Sequence, residues 1–432
     1  MKNPLYLGIQ KEKITPKVGA QLYGYRPDTI STSVHDDLYV TTFYLKQGDV
    51  EALLVSFDLC LMKTAIADEL RLYVEENYGI PKGNCLLSTT HTHSGPNVAG
   101  QTGWGAIDAD YYNNVFRPAF ISTVEQAIKK AVPVKIGVAS GDSSIGINRR
   151  ELCPDNKIAL GQNPWGPYNP KMTVISFVDE SGVPIANMVH YGMHGTCAGR
   201  NFEISRDWCG VMIDELEAIS GATSAFFNGP EGDVGPRLTN GRTTGVSDVR
   251  YVERHGALAA DDAVRIYKTI KAYSDAELSV LSATVDIPLE RRPSLETIRS
   301  EYEKIKNETV SLLGAKAEYY RDQMKLYEDG YEDVSVRTIP QSIVRIGDVA
   351  FVSTPFEMFS VVGMRIAAQS KIQHTLTLSN TNGSEGYFVT EDQICRGGYE
   401  VNMFKFGYIQ PYADDADWHF LSETVKNLEK LY

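Results

Sequence analysis

No stretch of this chain approaches the roughly 18 consecutive apolar residues that a membrane-spanning helix requires, so none is expected. Basic residues are in the minority: 42 Lys and Arg stand against 55 Asp and Glu, a formal charge of −13. That balance argues against the phosphate backbone of a nucleic acid as the main partner and favours solubility. Cysteine is scarce, and the six present (Cys60, Cys85, Cys153, Cys197, Cys209 and Cys395) lack paired zinc-knuckle spacing. Neither a disulfide framework nor a Cys-rich metal site is expected, and these are read mostly as buried thiols. Internal repeats, low-complexity tracts and linkers are missing too. Residues 1–17 have basic side chains but no continuous apolar core and no small-residue cleavage pattern, so no signal peptide is expected. The chain would then be cytoplasmic, or secreted with its signal removed.

What is there is ample apolar content, 43% of 432 residues, enough for one large domain with a substantial core. Strands are expected at 38–46 and 51–57 about a Gln47-Gly48-Asp49 turn, a helix at 65–77, and a strand running into His91. This order of strand, strand, helix, strand implies an α/β fold, mixed β-sheets flanked by helices. Further on, helices are expected at 111–132, 208–220, 252–272 and 355–369. Strands are expected at 134–140, 171–178, 185–190, 225–228, 278–289, 341–346, 349–353 and 375–379. Residues 148–170 read as a long Pro- and Asn-rich loop, and 229–236 as a rigid turn-rich one. Residues 295–331 are dense in Glu, Lys and Arg with apolar residues at helical spacing, which predicts a charged helical hairpin inserted against the main body.

The stretch that carries chemistry is 84–97, where an apolar, β-branched run turns abruptly into Ser94-Gly95-Pro96. His91 and His93 sit at that turn. In an extended backbone, side chains two residues apart share a face, so both imidazoles would project to one side, a place for a metal or simply a pair of hydrogen-bonded polar residues. His194 lies at a second strand-to-loop junction, and Glu357 follows another strand and Pro355. Three such junctions can meet at one sheet edge. A different chemistry would take Cys197 as nucleophile with His194 or His190 as base. A third alternative is a metal- or ligand-binding protein without catalysis.

Thr90-His-Thr-His-Ser-Gly-Pro96 resembles the most specific signature of the neutral/alkaline, non-lysosomal ceramidases. Further islands resemble that family in the same order: Val34 to Leu38, Leu54 to Asp58, Ile147 to Arg149, Tyr191 to Thr196 with Ser205 to Asp207, Arg345 to Asp348 with Pro355 to Glu357, and Gly386 to Thr390. The resemblance implies zinc held by His91, His194, Glu357 and Tyr387, with His93 as general acid/base or oxyanion donor. Arg149 would polarise a substrate carbonyl or anchor a headgroup. It implies hydrolysis of an amide in a small-molecule or lipid-like substrate, by a single catalytic domain over 1–432 without the carboxy-terminal β-sandwich of larger members. One departure stands out: in the loop holding Asp233, Gly235 occupies the position where the family carries a serine, so a different substrate is expected.

Overall fold

The structure, a computed structural model, describes residues 3–100, 104–237, 248–307 and 312–432. Three mixed sheets share one apolar core. In the first, the strands Cys85–Thr89, Val50–Phe57, Tyr39–Gln47, Tyr6–Lys13 and Val132–Pro133 lie in that order. The second runs Thr223–Asn228, Pro184–Tyr191, Lys171–Val178, Lys135–Asp142, and the third Leu278–Pro288, Val336–Ile346, Val349–Ser353, His374–Leu378. Phe43, Phe227 and Phe351, one from each sheet, pack as successive tilted pairs with ring centroids 5.9 and 6.2 Å apart. Side chains that alternate along these strands fill that core on one face, and helices cover the other: Thr64–Tyr78 and Arg117–Lys129 on the first sheet, Trp208–Ser220 and Arg250–Tyr267 on the second, Ser360–Gln369 and Ala416–Glu429 on the third.

Each main sheet contains one parallel pair at an edge: Val50–Phe57 with Cys85–Thr89, Pro184–Tyr191 with Thr223–Asn228, and Val349–Ser353 with His374–Leu378. Parallel neighbours end on the same side, and the loops that leave their carboxyl ends meet. Those loops are stitched by backbone hydrogen bonds, from His93 N to Gly195 O at 3.0 Å, Ser379 N to Asn228 O at 3.1 Å and Gly232 N to Met358 O at 2.8 Å. Such close approach requires glycine at Gly195 and Gly232, where an added Cβ would lie 2.7 Å from His91 O and 2.5 Å from Glu357 O.

The order and type of most expected elements hold, with boundaries displaced by a few residues. Three local expectations are corrected. Residues 148–170 are not a structureless loop: Gly146–Leu152 and Ile158–Asn163 form an antiparallel hairpin, and Val234–Pro236 pairs with its inner strand. The helix expected from 355 begins at Ser360, because Glu357–Met358 pairs in parallel with Tyr387–Phe388 and Phe359 is extended. The strand into His91 stops at Thr89, and His91 has a φ of 66°, so the extended backbone invoked for the histidine pair is absent. The charged segment does form two helices, Leu295–Ile305 and Leu312–Glu328; of the residues between them, 308–311 lie outside those described. No helix among the described residues is long and apolar enough to cross a membrane.

Candidate active site

The loops leaving the parallel pairs bring together side chains far apart in sequence. His91 follows Cys85–Thr89, His194 follows Pro184–Tyr191, Glu357 follows Val349–Ser353, and Tyr387 lies beyond His374–Leu378. One Glu357 carboxylate oxygen, Oε2, sits 3.4 Å from His91 Nε2 and 3.2 Å from His194 Nε2. All three residues are buried, His194 completely. The ring of Tyr387 stacks parallel to that of His194, and its hydroxyl is 3.3 Å from His194 Nε2.

The backbone sets the tautomer of both imidazoles. His91 Nδ1 lies 3.0 Å from Cys60 O, and His194 Nδ1 lies 2.9 Å from Glu231 O and 3.1 Å from Val234 O. A carbonyl only accepts, so each Nδ1 carries the hydrogen and each Nε2 turns a lone pair inward. With both imidazoles neutral, Glu357 Oε2 faces two acceptors and has no hydrogen-bond donor among the described residues; with no metal ion between them a second proton on His91 would take that place, and against its burial the Cys60 thiol and the Glu357 carboxylate raise His91 well above the ordinary histidine value. Three electron-rich atoms buried against one another are unfavourable unless a cation lies between them. His91, His194 and Glu357 fit a divalent ion on this ground, their ligand atoms lying within 4.8 Å of one another.

His93 is half-buried beside this cluster, its Nε2 3.3 Å from His91 Nε2 and its Nδ1 without a partner among the described residues. Burial and the neighbouring imidazoles hold its pKa well below the ordinary histidine value, and burial pushes His194 down to about 3. Both are neutral at pH 7. The two histidines of the pair thus converge although His91 is left-handed rather than extended.

Arg149 comes from the inner strand of the hairpin. Its Nη2 donates to the Tyr387 hydroxyl at 2.9 Å and its Nε to Glu400 Oε1 at 2.8 Å, while Arg150 Nη1 donates to Glu400 Oε2 at 2.7 Å. Burial raises the Tyr387 phenol and the guanidinium opposes it. Asp233 does not touch the cluster. Its carboxylate accepts from Ser360 N at 2.7 Å, Ser360 Oγ at 3.2 Å and Asn148 Nδ2 at 3.1 Å, so it caps the helix Ser360–Gln369 and ties it to the hairpin. Gly235 is buried in the short strand opposite Ile147.

Sequence reasoning missed three residues that frame this site. Glu400 anchors both arginines; Glu231 is buried, its carboxyl pushed up to about 8 by burial; Asn380 donates to Glu231 Oε1 at 2.7 Å and lies 3.4 Å from His91 Nδ1. Only Asn380 had a signal, the Asn-Thr-Asn-Gly turn, whose Asn380 and Asn382 both have positive φ. The cysteine chemistry finds no support. Cys197 is fully buried, burial and Asp207 raise its thiol, and His190 Nε2 and His194 Nδ1 are engaged by backbone carbonyls.

An α/β fold whose strand ends converge on two histidines and a carboxylate is a hydrolase-like arrangement, and comparison with known proteins gives it a family. The family description "Neutral/alkaline non-lysosomal ceramidase, N-terminal" matches residues 5–248. The chain belongs to that family. It is 26% identical over 250 residues to neutral ceramidase A of Dictyostelium discoideum, covering 53% of this chain and 35% of that protein. It is 26% identical over 228 residues to a neutral ceramidase of Oryza sativa subsp. japonica, covering 50% and 29%. The matched part thus spans about a third of the length of these curated relatives. The fold is similar to the crystal structure of neutral ceramidase from Pseudomonas aeruginosa, with a TM-score of 0.77 at 19% identity over 100% of this chain and 75% of that one. A ceramidase complexed with C2 gives a TM-score of 0.76 at 17% identity, over 99% and 75%.

Proposed function

We propose that this member of the ceramidase family is a zinc-dependent hydrolase of a carbon–nitrogen amide bond, with His91, His194 and Glu357 as metal ligands and Tyr387 beside them. The observation that carries the reading is the Glu357 oxygen buried between two inward-facing imidazole lone pairs without a donor. Nitrogen and carboxylate ligands in a three-residue set favour zinc over calcium or magnesium, which take mainly oxygen. Zinc, when bound, supplies the Lewis acidity that amide hydrolysis at neutral pH needs.

The chain's own residues supply the rest. His93, neutral and with a free nitrogen, accepts a proton from the attacking water and returns it to the departing amine. Arg149, fixed by Glu400, keeps positive charge at the Tyr387 hydroxyl, where the substrate carbonyl would develop negative charge. Gly235 offers no hydroxyl where the family resemblance places a serine, so the substrate differs from long-chain ceramide. Metal analysis of the purified protein and of a His91→Ala, His194→Ala double variant tests the reading. About one zinc per chain in the wild type and none in the variant is expected; full zinc occupancy in the variant would overturn it.

A further inference from the structure

The rings of His91 and His194 are oriented by backbone carbonyls at Nδ1, but His93 has no such partner. Its Nδ1 is buried and unpaired among the described residues, and its Nε2 has one hydrogen-bonding neighbour among them, His91 Nε2 at 3.3 Å. In the proposed site that His91 nitrogen is committed to the metal, so the contact cannot orient His93 as well. A general base is ordinarily held in place by a third group. Here packing takes that part. Gly24 lies directly on the imidazole: a Cβ added to it would be 2.5 Å from His93 Cγ and Nδ1 and 2.8 Å from His93 Cβ, and its φ is 127°. Only glycine permits both. The next residue, Tyr25, meets the His93 ring edge-on, with centroids 5.0 Å apart and planes at 63°.

This seat is fixed independently of the ring it holds. Leu22 pairs with Pro96 and Tyr23 with Gly95, so the segment is tied to the residues that follow His93. Leu22 N donates to Thr29 O at 2.8 Å and closes the loop 22–29. Gln21 Nε2 donates to Pro27 O at 2.7 Å and to Trp104 O at 2.9 Å, and Asn97 Nδ2 donates to Gln21 Oε1 at 3.0 Å. The Tyr23 and Trp104 ring centroids lie 4.2 Å apart. The Tyr25 hydroxyl is buried without a partner among the described residues, so the contact with His93 uses the ring and not the hydroxyl. We infer that Gly24 and Tyr25 are positioning residues, which hold the His93 imidazole by shape, with Nε2 toward His91, where a hydrogen bond would otherwise do so. Their effect on turnover rests on the amide-hydrolase reading above; the seating of the ring does not.

The test compares the full chain, loaded with zinc, with Gly24→Ala, Tyr25→Ala and Tyr25→Phe, each alone and combined with His93→Ala, on N-acetylsphingosine and p-nitroacetanilide. Zinc content is expected to stay at the wild-type level throughout. Gly24→Ala and Tyr25→Ala lower kcat by about 10-fold to 100-fold, the cost of a base displaced by about 1 Å, and leave KM within about twofold. Tyr25→Phe keeps the ring and rescues that loss. In the His93→Ala background the same changes add nothing, because they act through a ring that is gone. Carbethoxylation of His93 by diethyl pyrocarbonate, followed by peptide mass spectrometry, is faster in Gly24→Ala and Tyr25→Ala than in wild type and unchanged in Tyr25→Phe. Should Gly24→Ala not fold, Tyr25→Ala decides alone. Wild-type kcat in Tyr25→Ala, equal losses with and without His93, or a His93 modification rate that neither substitution alters each overturns the inference. Absence of turnover by the wild type would overturn the hydrolase reading alone, since the modification rates still decide the seat.

Discussion

His91 is held in the left-handed region at a φ of 66°, a conformation that costs a non-glycine residue about 1 to 2 kcal/mol. The surrounding contacts over-determine it: its N–H donates to Leu59 O at 2.9 Å and its Nδ1 to Cys60 O at 3.0 Å, so the segment just beyond the neighbouring strand Val50–Phe57 dictates both backbone and ring. That geometry sends Nε2 toward Glu357 and leaves His93, two residues on, beside the cluster rather than in it. On the proposed reading the consequence is a division of labour. His93→Ala is expected to retain zinc and lose kcat by about 100-fold to 10,000-fold, the range of a general acid/base. Zinc content and turnover measured on the same preparation check this, and loss of the metal would make His93 a ligand instead. Tyr387→Phe separates two roles for the phenol. Its hydroxyl accepts from Arg149 at 2.9 Å, so its removal should lower kcat, while zinc affinity falls only if the oxygen also binds the metal.

At the scale of elements, the pieces that sequence periodicity revealed were those stabilised by burying a face. Trp208–Ser220 and Lys171–Val178 have the bounds expected of them, because their apolar positions recur at helical spacing or run continuously through a buried strand. The pieces that carry the site were less legible. Glu357–Met358 is two residues long and paired with residues 30 positions away, which no local pattern reveals, and the hairpin Gly146–Leu152 with Ile158–Asn163 is held by charge and amide contacts more than by alternation. Glu400, which anchors Arg149 and Arg150 from a helix, has no motif at all. Glu400→Gln leaves two buried guanidinium groups without their carboxylate, and a loss of about 3 to 5 kcal/mol in unfolding free energy is expected. Chemical denaturation checks it.

Asp233 gives the elements a pH dependence. Burial pushes its carboxyl up to about 6 despite three donors. Unfolded, it titrates near the ordinary aspartate value of about 3.9, so the folded chain holds the proton more tightly. Its contribution is most favourable below about pH 4 and is lost as the pH rises through about 6, by about 2 to 3 kcal/mol. Asp233→Asn cannot titrate. Urea midpoints of wild type and variant should therefore converge, or cross in the variant's favour, between pH 4 and pH 7, and parallel curves would place the titration elsewhere.

On the scale of the whole molecule, the site exists because three sheets each end in a parallel pair and share one core, so that every loop from a parallel carboxyl end enters the same crevice. A scaffold of this kind fixes the geometry of the proposed metal ligands from several directions and leaves the crevice wall to set the substrate. Gly235 lies on Val234–Pro236, whose Val234 carbonyl holds His194 Nδ1 at 3.1 Å, so the strand that carries it also orients a proposed metal ligand. If a serine belongs at this position, as the family resemblance implies, glycine leaves one preorganised hydroxyl missing, worth about 2.7 to 4 kcal/mol of transition-state stabilisation if nothing replaces it. The loss falls on substrates whose amide that hydroxyl would have bonded, and the space gained suits a bulkier or more polar group. Wild type is therefore expected to cleave short-chain or polar N-acyl substrates in preference to long-chain ceramide. Gly235→Ser is expected to raise kcat/KM on ceramide while lowering it on the polar amides. Both proteins assayed side by side on ceramide and short-chain N-acyl substrates decide the matter. Efficient ceramide cleavage by the wild type, unaltered by the serine, would mean that this position does not choose the substrate.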